Sequence, residues 1–576
     1  MKALTSSIFI IFSLTLLASS HTLSKPDEIQ HTPSNDKKNY LIQFSDNSFI
    51  SKTENQIKEE REEIIQATGG KIRHHLYNIN TIAVLLTSEQ VQKLKAHSTV
   101  KRIEIDPIRE LQTVSPTNKK YKKNAHSKKS IWKNTKKSRW IKQKPSWGVN
   151  AVQAGAPLTK WVPNGITVCV IDTGYDIDHP DLQLNNVYGD TYGPIEGNWY
   201  EPIDSHGPHV TGIMFALDNN LGTVGVTQNA AFNLYVAGFV NKSLEIRSSD
   251  IMKAHEGCAE AGANIVNMSL GFLESSEIEA DFYAQQYKKG ILTIAASGNF
   301  QSSQYAYPAS YPSVVAVAAV DSHLEPAYFS QYTDQIELSG PGMAIRSTVN
   351  AGEGWDASLY VGRTSFLDNE VVPLKRVMFN EFNLFDNISF PGAAYGKLFH
   401  CPSSLDCSGA AGKICLIERE FEENFLDYPE INAVMSCQDA GGRGAIIYSS
   451  KTRPGLQDTN LLDTTFSQNI IAVSVDRETG KKLKTLIGQK TYLRVNHGSN
   501  HEYLSGTSMA TPYVTGVAAI AWSYHPHCTA QEIRAALSAT ALDLHTPGRD
   551  DSTGFGLAQA NAAVDFLNKN GCPLLN

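Results

Sequence analysis

Three short segments of this 576-residue chain carry side chains of the types used in nucleophilic serine catalysis. Asp172 stands in the string Val-Ile-Asp-Thr-Gly, at the end of an apolar run that reads as a strand. His209 stands in His-Gly-Pro-His-Val-Thr-Gly, with a glycine on each side, where a helix is predicted to open. Ser508 stands in Gly-Thr-Ser-Met-Ala-Thr-Pro, ahead of an apolar helix. A serine activated by a histidine, with an acid to orient the imidazole, is a set that attacks acyl groups.

Each of these residues alone has an ordinary structural explanation. An acid at a strand end is more often a turn former or a helix cap, and a serine ahead of a helix is by default an N-cap. One histidine among 17 is usually a surface or core residue. The complete seven-residue string around Ser508 disfavours the N-cap explanation and favours a chemical role.

The elements that must position these residues alternate between strands and helices. Strands are predicted at 166–171, 265–268, 291–296 and 314–320, and helices at 249–262 and 277–290. Such alternation favours right-handed βαβ units and a mostly parallel sheet, whose functional sites gather at the carboxyl ends of strands. Asp172 and Asn299 both follow apolar runs, so they obey this rule. The predicted fold class is α/β with a mostly parallel central sheet.

Taken together, the motifs resemble those of the subtilisin-like serine proteases over roughly residues 143–350 and 495–570. The string around Ser508 matches the nucleophile signature of that family letter for letter, and the order Asp, His, Ser is the subtilisin order. The resemblance implies a three-layer subtilisin-like fold. It also implies that Ser508 attacks the scissile carbonyl, that His209 carries the proton, and that Asp172 orients the imidazole.

The resemblance extends to groups around the nucleophile. It implies that the side-chain amide of Asn299 donates to the oxyanion. Two segments resemble those that border the primary specificity pocket: Ser269, Leu270, Gly271, Ala296, Ser297 and Gly298. Pro208 departs from the family pattern, which usually has threonine at that position.

Three residues fall where family members hold a structural calcium ion: Gln143, Asp181 and Asn219. Amide and carboxylate oxygens are ligands that calcium prefers. A solvated polar turn is the alternative explanation. No cofactor is implied for catalysis.

The front of the chain predicts export and a removable segment. Residues 1–20 combine Lys2, an apolar run over 8–18 and small residues after it, which is the layout of a signal peptide. The run is short for a membrane span. We therefore expect a secreted protein with no membrane association after signal removal. Residues 40–111 read as a small α+β unit that resembles the family's propeptide, an intramolecular chaperone and inhibitor.

Charge is unevenly distributed, and the basic part is predicted to be discarded. Residues 1–141 hold 24 Lys and Arg against 13 Asp and Glu, whereas the remaining residues hold 27 against 45. Residues 112–141 form a basic linker, and such like-charge blocks are usually solvated. We expect cleavage near Lys142, so the basic excess does not indicate a nucleic-acid partner. The expected partners are protein or peptide substrates and the chain's own propeptide.

The catalytic domain is predicted in two parts, 142–374 and 478–576, around an insert at 375–477. Sequence around Cys415 and Cys437 in this β-rich insert resembles a protease-associated domain, and these two cysteines are expected to pair. Cys528 and Cys572 are expected to form a second disulfide near the C-terminal helices. Cys169, inside an apolar strand, is expected to be a buried free thiol.

Three other functions compete with a secreted serine endopeptidase made as an autoinhibited precursor. A pseudoprotease that only binds is disfavoured by the intact candidate set. A stable inhibitory or adhesive complex, in which the front domain is never released, is disfavoured by the cleavable basic linker. A carboxyl serine peptidase, which uses Glu and Asp in place of His, is disfavoured by the surroundings of His209. The specificity for substrate side chains stays open from sequence.

Overall fold

The structure is a computed structural model, and it describes residues 36–45, 53–111, 143–154, 165–184, 186–193, 197–228, 232–239, 246–367, 370–379, 385–387, 391–419, 429–457, 460–462 and 469–573. The predicted signal peptide at 1–20 and the basic linker at 112–141 lie outside the described residues. Among the residues described, no helix is both long and apolar enough to span a bilayer.

The front unit is a small sheet covered by two helices. Its elements are β1 (Lys38–Phe44), α1 (Glu54–Thr68), β2 (Lys71–Leu76), a 3₁₀ turn (Tyr77–Ile79), β3 (Thr81–Leu86), α2 (Ser88–Lys95), β4 (Val100–Ile105) and β5 (Ile108–Leu111). The sheet has the order β2-β3-β1-β4. Both helices begin with a capping box, at Thr53 and Thr87. Alternation along β1 sends Ile42 into the core of this unit and Leu41 toward the rest of the protein.

The central element of the protein is a seven-stranded parallel sheet of order β14-β13-β12-β10-β6-β8-β7. The strands and helices of this region are α3 (Trp147–Ala151), β6 (Thr167–Asp172), a 3₁₀ turn (Pro180–Leu182), β7 (Asn186–Tyr192), α4 (His206–Phe215), β8 (Asn233–Phe239), β9 (Ile246–Arg247), α5 (Ser248–Glu260), β10 (Ile265–Met268), β11 (Leu270–Gly271), α6 (Glu277–Lys288), β12 (Leu292–Ala296), β13 (Val314–Val320), β14 (Ile336–Pro341) and β15 (Ile345–Thr348). The predicted α/β class with a mostly parallel sheet is confirmed.

A second β-rich unit is inserted after β15. It comprises β16 (Gly354–Val361), β17 (Thr364–Ser365), β18 (Val372–Pro373), β19 (Lys375–Phe379), β20 (Phe385–Asn387), β21 (Gly392–His400), β22 (Ile414–Glu418), α7 (Pro429–Asp439), β23 (Gly444–Tyr448), β24 (Asn460–Leu462), β25 (Ile471–Val475), α8 (Arg477–Lys484) and β26 (Lys490–Ser499). The first and last of these strands pair antiparallel along their whole length. The sheet of this unit therefore includes strands on both sides of the predicted insert at 375–477.

The chain then returns to the unit that contains the parallel sheet through β27 (His501–Leu504), α9 (Thr507–Tyr524), α10 (Ala530–Thr540) and α11 (Ala560–Asn570). Helix α9 is buried along almost its whole length and packs on the parallel sheet and on α4. Two hydrophobic clusters form, one on the face covered by α4 and α9 and one on the face covered by α5 and α6. The sheet is thus the middle of three layers.

All eight cysteines are paired. The predicted disulfides Cys415–Cys437 and Cys528–Cys572 are confirmed, and Cys401 pairs with Cys407. The expectation of a free thiol at Cys169 is wrong, since it pairs with Cys258. Alternate residues of β6 face the layer that contains α5, where Cys258 lies on the buried side of the helix. The disulfide therefore joins the sheet to the helix that covers it.

Candidate active site

Three of the predicted site residues lie at the carboxyl ends of three adjacent strands. Strands β12, β10 and β6 are neighbours in the sheet. Asn299 follows β12, Ser269 follows β10, and Asp172 is the last residue of β6. Since neighbouring strands lie about 4.8 Å apart, these groups share one edge of the sheet.

The histidine beside Asp172 is His206, not His209. His206 Nδ1 is 2.7 Å from Asp172 Oδ1, and both side chains are fully buried. The peptide N–H of Thr173 donates to the same carboxylate oxygen at 2.7 Å. A carboxylate that accepts from Nδ1–H holds the neutral imidazole in the tautomer that leaves Nε2 free to accept a proton.

Local backbone contacts fix the start of α4 against the sheet. The peptide N–H of His206 donates to Asp204 Oδ1 at 2.8 Å, and that of Gly207 donates to Thr173 Oγ1 at 2.9 Å. A Cβ at position 207 would lie 2.3 Å from the carbonyl oxygen of Gly174, so only glycine permits this approach. These contacts bring the first residue of the helix to the carboxyl edge of β6.

His209 lies one helical turn farther in, away from Asp172. Its Nε2 donates to the carbonyl oxygens of Ile345, at 3.0 Å, and Glu502, at 3.3 Å. These residues belong to β15 and β27, so His209 joins α4 to a two-stranded sheet. The prediction that His209 is the partner of Asp172 is therefore corrected in favour of His206.

The two histidines also differ in proton affinity. Burial lowers the pKa of His206, but the adjacent charges of Asp172 and Asp204 outweigh this effect, so the pKa of His206 is raised above its ordinary value. Burial, with a smaller effect of His206, lowers the pKa of His209 to about 3. At neutral pH, His209 is thus a neutral donor. His206 is the imidazole whose cation the carboxylates stabilise.

Ser508 lies in the first turn of α9. Its Oγ donates to the carbonyl oxygen of Ser269 at 2.8 Å, and Ser269 Oγ donates to the carbonyl of Ser508 at 2.8 Å. The preceding turn contains Gly506 at a φ of 154°. Among the described residues, Nε2 of His206 has no hydrogen-bond partner. The serine is therefore anchored to β10, next to the strand that ends in Asp172.

Asn299 is held by the residue that precedes Ser508. Its Oδ1 accepts from the peptide N–H of Thr507 at 2.9 Å and from Thr507 Oγ1 at 3.0 Å. With Oδ1 so engaged, Nδ2 is buried and has no partner in the described part of the chain. An amide donor beside a serine hydroxyl suits the oxygen of a carbonyl under attack.

A groove next to Ser508 is filled by the end of the front unit. Strand β5 lies between β11 and β9 in a three-stranded antiparallel sheet. Leu270 and Gly271, which sequence assigned to the substrate site, pair with Leu111 and Glu110 of that strand. The other predicted segment, Ala296 to Gly298, begins at the last residue of β12, and Gly298 has a φ of 110°.

The opposite wall of the groove, Ile246–Arg247, was missed from sequence. A two-residue strand is too short to show a periodic pattern in the sequence.

The three predicted calcium ligands lie together, but their oxygens are occupied. Asp181 is fully buried, and its carboxylate accepts from Asn219 Nδ2 at 3.2 Å and from His501 Nε2 at 2.6 Å. Asn219 Oδ1 accepts from the peptide N–H of Leu221 at 2.8 Å. Gln143 Oε1 accepts from the peptide N–H of Asn220 at 2.9 Å.

The imidazole of His501 fills the space beside this cluster. A Cβ on Gly222 would lie 1.9 Å from its Cε1. Every side-chain oxygen of the three predicted ligands thus accepts a hydrogen bond from the protein. The set is of the chemical type that binds calcium. As arranged, however, it does not fit the ion, because side-chain N–H groups occupy the oxygens of the site. Gln143 Nε2 donates to the carbonyl oxygens of Leu217, at 2.6 Å, and Thr223, at 3.0 Å, so a cation would have to displace this amide.

We expect the cluster to be insensitive to calcium. In a Ser508→Ala background, which prevents self-digestion, EDTA is expected to change the Tm by less than about 2 °C, the order of 1 kcal/mol for a domain of this size. Differential scanning calorimetry of the full chain, with EDTA and with excess Ca²⁺, measures this. A larger drop in Tm that Asp181→Asn abolishes would contradict it.

The fold and the site together define a serine hydrolase built on an α/β fold. A parallel sheet carries a buried histidine–carboxylate pair, a serine at the start of a central helix and an amide donor at one edge. The family model described as the subtilase family matches residues 163–371 and 429–556. The chain therefore belongs to the subtilase family and is a serine endopeptidase, and enzymes of this class need no cofactor for catalysis.

Individual relatives agree with this assignment. The chain is 28% identical over 351 residues to subtilisin amylosacchariticus from Bacillus subtilis subsp. amylosacchariticus, covering 60% of this chain and 82% of that protein. It is 33% identical over 215 residues to a subtilisin from Bacillus pumilus, covering 36% and 77%. The psychrophilic subtilisin-like protease Apa1 from the Antarctic psychrotroph Pseudoalteromonas sp. AS-11 matches with a TM-score of 0.70 and 42% identity, covering 75% of this chain and all of the other.

Proposed function

We propose that the chain is a secreted serine endopeptidase, made as an autoinhibited precursor, in which Ser508 is the nucleophile and His206 the general base. Asp172 orients the imidazole. The observation that carries the assignment is the 2.7 Å contact between His206 Nδ1 and Asp172 Oδ1 at the sheet edge that also anchors Ser508.

The chemistry follows from these positions. His206 Nε2 takes the proton of the Ser508 hydroxyl as Oγ attacks the scissile carbonyl carbon, and Asp172 stabilises the resulting imidazolium. The tetrahedral intermediate then expels the amine, which receives the proton from Nε2, and an acyl-enzyme remains. A water molecule deprotonated by the same nitrogen attacks the acyl carbon and releases Ser508.

Asn299 Nδ2 is the proposed donor to the developing oxyanion. We expect Asn299→Ala to lower kcat by about 10²–10³-fold with a smaller change in KM, the effect found for the equivalent change in subtilisin itself. Steady-state kinetics on a chromogenic peptide measure both constants. Asn299→Asp is the matched control, because it keeps the acceptor for Thr507 but replaces the donor with a charge. Full activity of either variant would contradict the role.

We propose that the front unit, residues 40–111, is the inhibitory propeptide. Its last strand, β5, occupies the groove in the manner of an added substrate strand, which supports this role. The apolar stretch at 8–18 supports export. Sequence likeness supports a protease-associated domain in the inserted unit.

The experiment that tests the proposal compares the wild type with Ser508→Ala in a secreting host. We expect the wild type to lose its front segment near Lys142 and to digest denatured casein, and the variant to do neither. Ser523→Ala, a buried serine farther along α9, is the matched control and should behave as the wild type. Mass spectrometry of the secreted product identifies the cuts.

If both forms mature alike and only Ser508→Ala is inactive, the nucleophile stands and another protease does the processing. If the wild type remains inert after its front segment is removed, the proposed function fails.

A further inference from the structure

We propose that Glu279 makes the substrate groove, which β5 occupies, selective for a basic side chain at P4, the fourth residue before the cleaved bond. The preferred substrates would then be proteins with arginine or lysine at that position. The inference rests on the proposed function, because it concerns the specificity of the same site.

The observation is a fully buried ion pair between the front unit and the catalytic domain. Arg109 lies on β5, and its Nη2 donates to Glu279 Oε2 on α6. Neither side chain has any exposed surface. An isolated charge is costly to bury, and removing one member of such a pair leaves the other without compensation. The pocket around Glu279 therefore favours a positively charged side chain over a neutral or negatively charged one.

The carboxylate is positioned by the catalytic domain itself. The hydroxyl of Tyr311 donates to Glu279 Oε2 at 2.8 Å, and it accepts from the peptide N–H of Ser276 at 2.9 Å. Ser276 Oγ caps α6 by accepting from the peptide N–H of Glu279 at 3.1 Å. The ring of Tyr283 stacks on Tyr311, with centroids 6.0 Å apart. None of these groups belongs to the front unit, so the pocket remains when that unit leaves.

The strand register places this pocket at P4. Ser508 Oγ is 2.8 Å from the carbonyl oxygen of Ser269, so a substrate residue opposite Ser269 has its own carbonyl beside the nucleophile. That residue is P1. In the register of β5, Leu111 lies opposite Leu270 and Glu110 opposite Gly271, which are the P2 and P3 positions. Arg109, one residue earlier, therefore occupies P4.

The sequence repeats an arginine at P4 at the cut predicted near Lys142. Arg139 stands three residues before Lys142, near which the mature chain is expected to begin. A cut directly after Lys142 has arginine at P4. A charge-selective pocket would thus direct the enzyme to its own linker as well as to other substrates.

The test uses the mature enzyme, obtained by expressing the full chain, and internally quenched peptides with the sequence of residues 107–116. The P4 residue, Arg109 in the parent peptide, is varied to Lys, Gln, Ala and Glu, and mass spectrometry identifies the cleaved bond. For the wild type, kcat/KM is expected to be at least about 30-fold higher with Arg than with Ala at P4. Glu279→Gln should reduce this ratio below threefold, chiefly through KM for the Arg peptide. Glu277→Gln removes an exposed charge on the same helix and should keep the wild-type ratio.

The peptide series on the wild type alone decides the inference if Glu279→Gln does not mature. Equal cleavage of the Arg, Ala and Glu peptides, or no cleavage of any of them by an enzyme that digests casein, overturns the P4 pocket and leaves the proposed function intact. An enzyme that cleaves neither casein nor peptides overturns the proposed function itself. A ratio that survives Glu279→Gln overturns the assignment to Glu279.

Discussion

Replacing His206 with alanine is expected to lower kcat for peptide hydrolysis by about 10⁶-fold, the size found when the corresponding group is removed from subtilisin itself. The reason is that Nε2 of His206 is the proposed acceptor of the Ser508 proton, and no other described imidazole contacts Asp172. The measurement is kcat with a peptide ester and a peptide amide. The variant enzyme is isolated after the front unit has been removed by an added protease, since self-processing is expected to fail.

His209→Ala is the control for this change, because it removes the second histidine of the same motif. Its loss leaves the carbonyl oxygens of Ile345 and Glu502 without their donor, which costs about 1–3 kcal/mol of stability. We expect a lower Tm, with kcat within about tenfold of the wild type because the acid–base pair remains. If His209→Ala instead loses 10⁶-fold and His206→Ala retains activity, the geometric assignment is wrong.

The sequence predicted the motif that contains the catalytic histidine but not which of its two histidines contacts Asp172. Both belong to one string with glycines nearby, so composition does not separate them. A usable signal was present, because helices that follow parallel strands begin at the carboxyl edge of the sheet, where sites gather. The first residue of the predicted helix, His206, was the better candidate on that rule. The fold class, in contrast, was predictable from the alternation of strands and helices, because the hydrophobic periodicity that identifies each element lies within that element.

Features that depend on distant contacts were beyond sequence reasoning. Cys169 and Cys258 are 89 residues apart, and only the packing of α5 on β6 brings them together. His501 reaches Asp181 from a strand that follows the inserted unit, so no local pattern indicates that it occupies the carboxylate of a predicted calcium ligand. Glu279 reads as an ordinary residue in the first turn of a helix, where acids are common. Its partner, Arg109, lies on β5, and only the folded structure places β5 in the groove beside Glu279.

Asp172→Asn is expected to lower kcat by about 10⁴-fold, the loss found for this change in a serine protease triad of the same geometry. Asparagine keeps the shape, but its amide can present a donor to Nδ1 and so favour the tautomer in which Nε2 carries the proton. The imidazole then cannot accept the proton of Ser508. The measurement is kcat across pH 4–10 on a peptide amide, after removal of the front unit by an added protease.

The pH profile separates this effect from a loss of packing. The neutral form of His206 acts as base, and because Asp172 and Asp204 raise its pKa, activity should rise as the pH increases through a value above the ordinary 6.5. Removing the Asp172 charge lowers that pKa, so the acid limb should move to lower pH while the plateau falls. Asp204→Asn is the matched control. It removes a charge without touching Nδ1, so it should move the limb in the same direction and keep the plateau within about tenfold. A variant Asp172→Asn that loses activity with an unmoved acid limb would show that the carboxylate does not set the proton affinity of His206.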